Sequence, residues 1–402
     1  MRSMLSRLLS SFPAKRTCPF HPPTEYAELQ REAPLARIKL ASGRDAVLVT
    51  KHEYVRALLE DERLSADETT PGYPHLYEGA FESPLKGTFM RADGEAHYRV
   101  RRMLGKDFTA KRAEALRPHI EAVVDECLDA MAAQATPLDL VPAYAFPIPS
   151  RTICYLLGVP YADRDVFEKN TRAMMNHKSQ REEVQAAMGA IYAYLDDLVT
   201  KKLANPQDDL ISRLAKEELE PGHLGRQEFI TILLILLVGG HETTATMIGL
   251  GVFTLLHHDE QRQELLRDPS LWPNAVDELL RHQTIAQSPT QRVALADIEI
   301  GGETIRRGEG VVFELAIANR DPSAFPEPDR LDLRRNARAH LAFNHGPHIC
   351  LGHAMARAEL EIAFRKLFTR FPTLRLAVPW QEVPVRPPSV GLFGVESLPV
   401  AW

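Results

Sequence analysis

The chain is poor in cysteine. Its 402 residues include four cysteines, and none of them belongs to a CxxC pair. This usage provides no disulfide framework and is typical of a reducing compartment. The four thiols are Cys18, Cys127, Cys154 and Cys350.

Basic residues are not in excess either. The sequence has 48 lysine and arginine residues against 54 aspartate and glutamate residues, a formal net charge of −6. General affinity for nucleic acid requires a basic excess, so we predict no nucleic-acid partner. Hydrophobic residues make up 45% of the chain, which is typical of a globular protein with a large core.

A secretory signal is also lacking. Residues 1–15 are basic, but their apolar run is too short and broken for a signal peptide. We therefore predict a flexible N-terminal tail over residues 1–20. The longest apolar stretch, 230–256, is long enough to cross a bilayer. His241 and Glu242 stand at its centre, where both would be costly in lipid, so we predict a buried helix, no membrane anchor and a cytoplasmic location.

No repeat and no low-complexity linker divides the sequence, which predicts a single domain over residues 21–402. Alternating residues on either side of Gly43 predict a β-hairpin over 36–50. Helical spacing of apolar residues dominates much of the rest, and strand signals return late in the chain. The predicted helical stretches are 51–157, 182–215 and 226–283, and the predicted strand regions are 292–313 and 374–378. The expected fold is mainly α with small β-sheets.

The thiol of Cys350 follows a Gly-Pro turn and precedes a helix-like stretch, 354–371. Backbone N–H groups and a helix dipole stabilise a thiolate at such a position. Three histidines lie within five residues of it, namely His345, His348 and His353. From the residues alone three interpretations stay open: a structural cysteine, a zinc site, and a thiolate that ligates a cofactor or acts as a nucleophile.

A second pattern interrupts the long apolar helix at 239–244 (GGHETT). Two glycines inside a helix cost about 1 kcal/mol each, which is reasonable if a bulky group must lie against the backbone. Glu242 and Thr243 would then supply a carboxylate and a hydroxyl that pass protons into a water-poor cavity. The alternative is a kinked core helix whose threonine hydroxyl bonds to a carbonyl one turn earlier.

Three further signals are weak by themselves. Glu278 and Arg281 place opposite charges three residues apart on one helix face. The segment 97–102 gathers basic groups that would ordinarily form a solvated face. Arg292 introduces a strand and would ordinarily be a surface residue.

Taken together and in order, these motifs resemble the cytochrome P450 family of haem-thiolate proteins, specifically its soluble bacterial type. The family's cysteine loop, Phe-x-x-Gly-x-His/Arg-x-Cys-x-Gly, is matched by Phe343, Gly346, His348, Cys350 and Gly352. Its oxygen-activation motif is matched by Gly239, Gly240, Glu242 and Thr243. Its Glu-x-x-Arg pair is matched by Glu278 and Arg281, and its Ala-Asn-Arg-Asp stretch by 318–321.

The resemblance implies the cytochrome P450 fold, with a long central helix over a haem b cofactor. It implies Cys350 as the axial ligand of the iron. Glu242 and Thr243 would manage proton delivery during oxygen activation. The other residues expected at the cofactor are Gly240, Phe343 and Gly352, with His97, Arg101, Arg292 and His348 on the propionates.

The resemblance also implies a buried ion network and a substrate pocket. The network would join Glu278 and Arg281 to an arginine of the following meander, with Arg330 preferred and Arg334 as the alternative. The residues expected to line the pocket, inferred by position, are Tyr73, Leu236, Thr244, Ile285 and Phe393. Tyr77 and His75 belong to the same loop region as Tyr73.

The function implied is that of a monooxygenase that inserts one oxygen atom from O2 into a small organic substrate, as in the tailoring of a natural product. Electrons would come from NAD(P)H through a ferredoxin reductase and a ferredoxin, because the chain has no flavin domain. A basic patch at Arg101, Arg102, Lys106 and Arg112 would bind the ferredoxin, and the protein is expected to be a monomer. The alternatives are a nitric oxide reductase-like enzyme, a peroxide-using enzyme and a non-catalytic haem-binding protein; the acid at Glu242 disfavours the first two.

Overall fold

The structure is a computed structural model that describes residues 12, 16, 18–76, 87–175, 179–287, 289–386 and 391–402. Most of the predicted N-terminal tail lies outside the described residues. The described chain forms two compact units, one of residues 1–102 and 270–353 and another of residues 103–269 and 354–402. The single domain over 21–402 stays a prediction.

The first unit contains a five-stranded sheet. Its strands are β1 (Leu35–Lys39), β2 (Asp45–Val49), β3 (Leu64–Ser65), β5 (Thr290–Ala294) and β8 (Gly310–Phe313), in the order β1-β2-β8-β5-β3. The predicted hairpin is confirmed, since β1 pairs antiparallel with β2 from Leu35 opposite Val49 to Lys39 opposite Asp45. The parallel pairing of β2 with β8 brings the late strand signals next to the early ones.

Short helices and a two-stranded ribbon complete the first unit. The helices are α1 (Thr24–Glu32), α2 (His52–Leu59), the first part of α3 (Gly94–Gly105), α11 (Trp272–Gln283) and α12 (Leu315–Ala318). The ribbon pairs β6 (Ile298–Ile300) with β7 (Glu303–Ile305). Short 3-10 turns lie at Phe89–Arg91 and Gly346–His348. A cluster of buried apolar side chains, including Val49, Leu58 and Phe313, joins the sheet to α2.

The second unit is mostly helical. Its α-helices are α4 (Ala110–Ala132), α5 (Pro147–Leu157), α6 (Arg164–Met175), α7 (Arg181–Ala204), α8 (Leu210–Leu214), α9 (Arg226–His257), α10 (Asp259–Arg267) and most of α13 (His353–Arg370). It also has π-helical turns at Val141–Ala145 and Ala215–Leu219 and 3-10 turns at Tyr161–Asp163 and Trp380–Glu382. A small sheet has the strand order β4 (Leu138–Asp139), β10 (Pro399–Ala401), β9 (Arg375–Leu376).

Helix α9 is continuous for 32 residues and includes the predicted interruption. The two glycines do not break it, because Gly240 packs against α5. A Cβ at Gly240 would lie 2.7 Å from Cγ1 of Ile153, so only glycine allows this close approach. The hydroxyl of Thr243 donates to the carbonyl oxygen of Gly239 at 2.8 Å, which is the back-bonding alternative weighed from the sequence.

The predicted fold class is confirmed: the chain is mainly α with small sheets. The predictions were least accurate where helices end. The stretch 226–283 breaks at His258 and again near Pro269, and the stretch 51–157 contains the unpredicted short strands β3 and β4. Two-residue strands have too few residues to show an alternating pattern.

Candidate active site

The loop around Cys350 is shaped by backbone geometry that few residues permit. Asn344 and Gly346 have φ values of 65° and 67°, in the left-handed region. A Cβ at Gly346 would lie 2.4 Å from the carbonyl oxygen of Leu59, so a side chain is excluded there. The amide of Cys350 donates to the carbonyl oxygen of Phe343 at 2.8 Å and closes the loop. Helix α13 begins three residues later, at His353.

The thiol of Cys350 is exposed and is not part of a disulfide. No cluster of three or more His, Cys, Asp or Glu side chains in the described ranges is suited to hold a metal ion. The nearby histidines have other contacts, since Nε2 of His345 lies 2.7 Å from a carboxylate oxygen of Glu60. The zinc interpretation is therefore wrong for the described residues, because these ligands do not converge.

Two arginines near this loop, the buried Arg292 and the half-buried Arg101, have no carboxylate partner among the described residues. Arg292 is 5% exposed, and its Nη1 donates to the carbonyl oxygen of Gln291 at 2.7 Å. Arg101 donates to the carbonyl oxygen of Ile349 at 2.9 Å. Burial lowers the pKa of Arg292 to about 10 and lowers that of Arg101, which the sulfur of Cys350 opposes. Neither guanidinium has a carboxylate within ion-pair distance among the residues the structure describes, an arrangement that suits an anionic ligand.

His97 and His348 lie against each other, with ring centroids 4.0 Å apart. His97 is 2% exposed, and its ring nitrogens lie 2.7 Å from the carbonyl oxygen of Phe89 and 3.0 Å from that of Pro347. Burial lowers the pKa of His348 to about 4. This effect is larger than the opposite effect of Asp93, whose carboxylate lies 3.8 Å from the ring. His348 is therefore neutral at pH 7 and acts as a hydrogen-bonding group.

Asp93 was not singled out from the sequence, yet it supports this histidine pair. Burial favours its neutral form, but the contact with His348 and the hydrogen bonds from Ser65 and the amide of Ala66 outweigh burial and hold its pKa at about 2. Asp93 is therefore ionised at pH 7. A lone aspartate in a loop carries no sequence signal for this role, because the partners come from distant segments.

In helix α9 the two predicted proton carriers face different ways. Ile235, Gly239 and Thr243, spaced by four residues, form the face that the protein leaves partly accessible. No atom lies within 4 Å of a Cβ built at Gly239. Glu242 is instead 5% exposed. The glycine with open space is thus Gly239, whereas Gly240 packs on α5; the expectation of Gly240 beside a cofactor stays a prediction.

The carboxylate of Glu242 has a partner that sequence reasoning missed. Nη2 of Arg386 donates to Oε1 of Glu242 at 2.6 Å across a separation of 144 residues. Arg386 lies in a Pro-rich segment near the C-terminus, and no local pattern links it to the helix.

The buried ion network is present but has a different third member. Nε and Nη2 of Arg281 donate to the two carboxylate oxygens of Glu278 at 2.7 and 2.9 Å, and both side chains are 0% exposed. Nε of Arg335 donates to Glu278 at 3.2 Å. The prediction of Arg330 is wrong: its side chain is 63% exposed and pairs with Glu327 at 3.3 Å. Arg335, which the sequence did not single out, is the arginine of the meander that pairs with Glu278.

The residues predicted to line a substrate pocket divide between the two units. Tyr73 and Ile285 belong to the first unit, and Leu236, Thr244 and Phe393 to the second. The hydroxyl of Tyr73, a residue 2% exposed, accepts a hydrogen bond from Arg91 at 2.8 Å. Ile285 is partly accessible, whereas the other three are buried. Tyr77 lies outside the described residues.

The predicted basic patch is largely neutralised. Arg102 forms an ion pair with Glu95, and Lys106 donates to Glu217 at 3.2 Å. Arg101 is turned inward to the carbonyl oxygen of Ile349. Arg102, Lys106 and Arg112 have exposed side chains.

The residues present fit a haem with a thiolate ligand. Cys350 offers an accessible sulfur in a rigid loop. Arg292, which is buried, and Arg101, which is half-buried, are cations that suit carboxylate groups. A single cysteine with buried arginines is the donor set of a haem-thiolate protein rather than of a closed zinc site.

The chain belongs to the cytochrome P450 family, since the family model described as "Cytochrome P450" matches residues 164–376. It is a haem-thiolate monooxygenase, an oxidoreductase that acts on a small organic substrate.

Among its relatives, pentalenic acid synthase of Streptomyces avermitilis is 48% identical over 98% of this chain and 97% of that protein. Vitamin D3 dihydroxylase of Streptomyces griseolus is 44% identical over 98% of this chain and 97% of that protein. Among solved structures, the mycinamicin VIII C21 methyl hydroxylase MycCI of Micromonospora griseorubida, bound to mycinamicin VIII, has a TM-score of 0.92 at 39% identity. That alignment covers 98% of this chain and 100% of MycCI.

Proposed function

We propose that the protein hydroxylates or epoxidises a medium-sized or large natural-product scaffold, with haem b bound through the sulfur of Cys350. When bound, haem supplies the reductive activation of O2. The observation that supports this proposal most directly is the accessible thiol of Cys350 in a loop fixed by left-handed residues.

Four side chains would hold the propionates of the haem. Arg101 and Arg292 would supply positive charge, because each is an at least half-buried guanidinium without a carboxylate partner among the described residues. His97 and His348 would supply hydrogen bonds. Phe343 and Gly352 would contact the cofactor beside the cysteine, and Gly240 would do so from helix α9.

Glu242 and Thr243 would move protons to the reacting oxygen. The hydroxyl of Thr243 lies on the accessible face of α9 and is held by the carbonyl oxygen of Gly239. Glu242 is buried one residue earlier and would exchange protons from the interior. A protein that only binds haem has no need of this acid and alcohol, which favours turnover.

The substrate class is inferred from relatives and from the expected lining. One relative is named as a vitamin D3 dihydroxylase and one neighbour as a hydroxylase bound to mycinamicin VIII. The substrate would contact a mixed set of apolar and polar side chains: Tyr73, Leu236, Thr244, Ile285 and Phe393. Such a lining suits an organic molecule with a few polar groups.

The protein would work in the cytoplasm as a monomeric haem domain over residues 21–402. Electrons would reach it from NAD(P)H through a ferredoxin reductase and a ferredoxin. Because Arg102 and Lys106 already pair with carboxylates, an acidic ferredoxin would bind through other charges as well.

The decisive experiment replaces Cys350 with serine. The reduced wild-type protein with carbon monoxide is expected to show the red-shifted Soret band of thiolate ligation, and Cys350→Ser is expected to lose it. Cys18→Ser is the matched control and is expected to keep the band. Retention of the band in Cys350→Ser would show that another group binds the iron and would overturn the assignment.

A further inference from the structure

The chain near the C-terminus forms a short two-stranded ladder against helix α9. Val385 and Val395 form an antiparallel bridge, and the amide of Arg386 donates to the carbonyl oxygen of Gly394 at 2.8 Å. The amide of Glu396 donates to the carbonyl oxygen of Pro384 at 2.8 Å. We refer to residues 384–386 and 394–396 as the C-terminal ladder.

The C-terminal ladder packs closely on one face of α9. A Cβ at Gly394 would lie 2.5 Å from Cγ2 of Thr246, and a Cβ at Gly249 would lie 3.1 Å from Cγ2 of Val395. Glycine on each side therefore brings the backbones together. Positions 242, 246 and 249 are spaced by four and three residues, so they lie on one face of the helix. Glu242 belongs to that face.

Arg386 neutralises Glu242 on this face. Its Nη2 lies 2.6 Å from Oε1 of Glu242, and the two side chains are 19% and 6% exposed. No other cation among the described residues lies within ion-pair distance of Glu242. Arg386, from the ladder, therefore contacts Glu242, and His241 is its neighbour in α9. Burial lowers the pKa of His241, so the imidazole is neutral at pH 7.

We propose that Arg386 is a positioning residue for oxygen activation: its ion pair holds the Glu242 carboxylate and directs it at the C-terminal ladder. Proton transfer from Glu242 then requires this contact to loosen, so the position of the ladder controls when the acid acts. The proposal rests on the proposed monooxygenase function. It adds a residue from a separate segment that sets the charge and direction of the acid.

The physical reason lies in the cost of a buried charge. Without Arg386 the carboxylate of Glu242 would be buried with no compensating cation, and the neutral acid would be favoured. An arginine that only packs would have no such effect on ionisation. The charge-conserving Arg386→Lys therefore separates the two roles.

The experiment compares Arg386→Gln, Arg386→Lys and the control Arg370→Gln in haem-loaded protein. Arg370 is suited as a control because it forms a surface ion pair with Asp129, at 3.5 Å, with both side chains more than half exposed. Infrared difference spectra of protein with isotope-labelled glutamate, recorded against pH without turnover, report protonation of Glu242; Glu242→Gln identifies the band. The second readout is product formed per NAD(P)H, with Thr243→Ala as the reference for peroxide release.

In Arg386→Gln we expect the midpoint of Glu242 protonation to rise by about one pH unit or more. We expect product per NAD(P)H to fall several-fold, with Arg386→Lys and Arg370→Gln near wild type. An unchanged midpoint in Arg386→Gln, or a loss in Arg386→Lys as large as in Arg386→Gln, would overturn the proposal. If Arg386→Gln does not fold, Arg386→Lys provides the test. The proposal requires that this variant keep the wild-type midpoint of Glu242 protonation, and a changed midpoint would overturn it. The infrared readout needs no turnover, so its outcome is independent of the Cys350→Ser test.

Discussion

Glu359 is a carboxyl group that the interior keeps protonated. It is 3% exposed in α13, and its Oε2 has no hydrogen-bond partner among the described residues. Burial raises its pKa from 4.5 to about 8. Between these values the folded chain binds more protons than the unfolded chain. The contribution of Glu359 to stability is therefore full below about pH 4.5 and is lost as the pH rises towards 8.

We predict that Glu359→Gln gains stability relative to the wild type as the pH rises. The amide cannot ionise, so the difference should grow from about pH 5 to about pH 8, by at most about 1.4 kcal/mol per pH unit. Urea unfolding at several pH values measures it. The exposed Glu382 provides the control, since Glu382→Gln should give a flat difference. A flat difference for Glu359→Gln as well would contradict a raised pKa.

The Glu278 network gives a second prediction at this scale. Arg281→Leu leaves the buried Glu278 carboxylate with Arg335 and the amide of Asp332 as its partners among the described residues, and we expect a loss of about 3–5 kcal/mol in the free energy of unfolding. Arg335→Leu should cost about 1–3 kcal/mol, because Arg281 still binds both oxygens.

The control for the network is Arg330→Gln. Its side chain is 63% exposed, so the expected change is within about 0.5 kcal/mol. Urea midpoints compare the three variants. A larger effect from Arg330 than from Arg335 would mean that the network is assembled differently.

At the scale of elements, glycines in α9 set how closely neighbouring helices approach. A Cβ at Gly251 would lie 2.4 Å from Cζ of Phe364 in α13. A methyl group there must displace a buried ring that is 0% exposed. The same reasoning applies to Gly240 against Ile153, whereas Gly239 has open space.

We therefore predict that Gly251→Ala destabilises the protein by about 1–3 kcal/mol through overpacking. Gly189→Ala in α7 is the matched control, because no atom lies within 4 Å of a Cβ there. It should be neutral or stabilising by up to about 1 kcal/mol, since alanine is the better helix former. Thermal midpoints of the two variants distinguish the cases, and equal midpoints would argue against close packing of α9 on α13.

At the scale of the whole molecule, α9 is the one helix in the described ranges that is long and apolar enough to cross a membrane. Its most apolar window is 67% buried inside the structure, which is what the sequence predicted for a core helix. The same helix carries Glu242 and Thr243, so the most apolar element is also the one with the proposed proton carriers.

The whole-molecule prediction concerns cofactor removal. A ligand that binds only the folded chain stabilises it, by about 2.7 kcal/mol at one hundred times its dissociation constant. The haem-loaded protein should therefore unfold at a higher temperature than the haem-free protein, and Cys350→Ser should reduce that difference. Calorimetry measures both. Equal unfolding temperatures with and without haem would mean that haem does not bind preferentially to the folded chain.

Much of the site could be predicted from the sequence because its motifs are local. The spacing of Phe343, Gly346 and Cys350 defines a loop whose hydrogen bond and left-handed residues are set within a few positions. Glu278 and Arg281 meet because a helix repeats about every 3.6 residues. The prediction of the third member of the network was wrong because an irregular meander has no such period. Arg335, and not Arg330, reaches Glu278.

The sequence by itself determined the helical and strand patterns, the cysteine loop and the membership of a family, since each depends on residues close together in the chain. The tertiary structure alone decided that Arg386 pairs with Glu242 across 144 residues and that Glu242, rather than Thr243, lies on the buried face of α9. The physical reason is that backbone hydrogen bonding has a fixed period, whereas contacts between distant segments depend on how the interior packs.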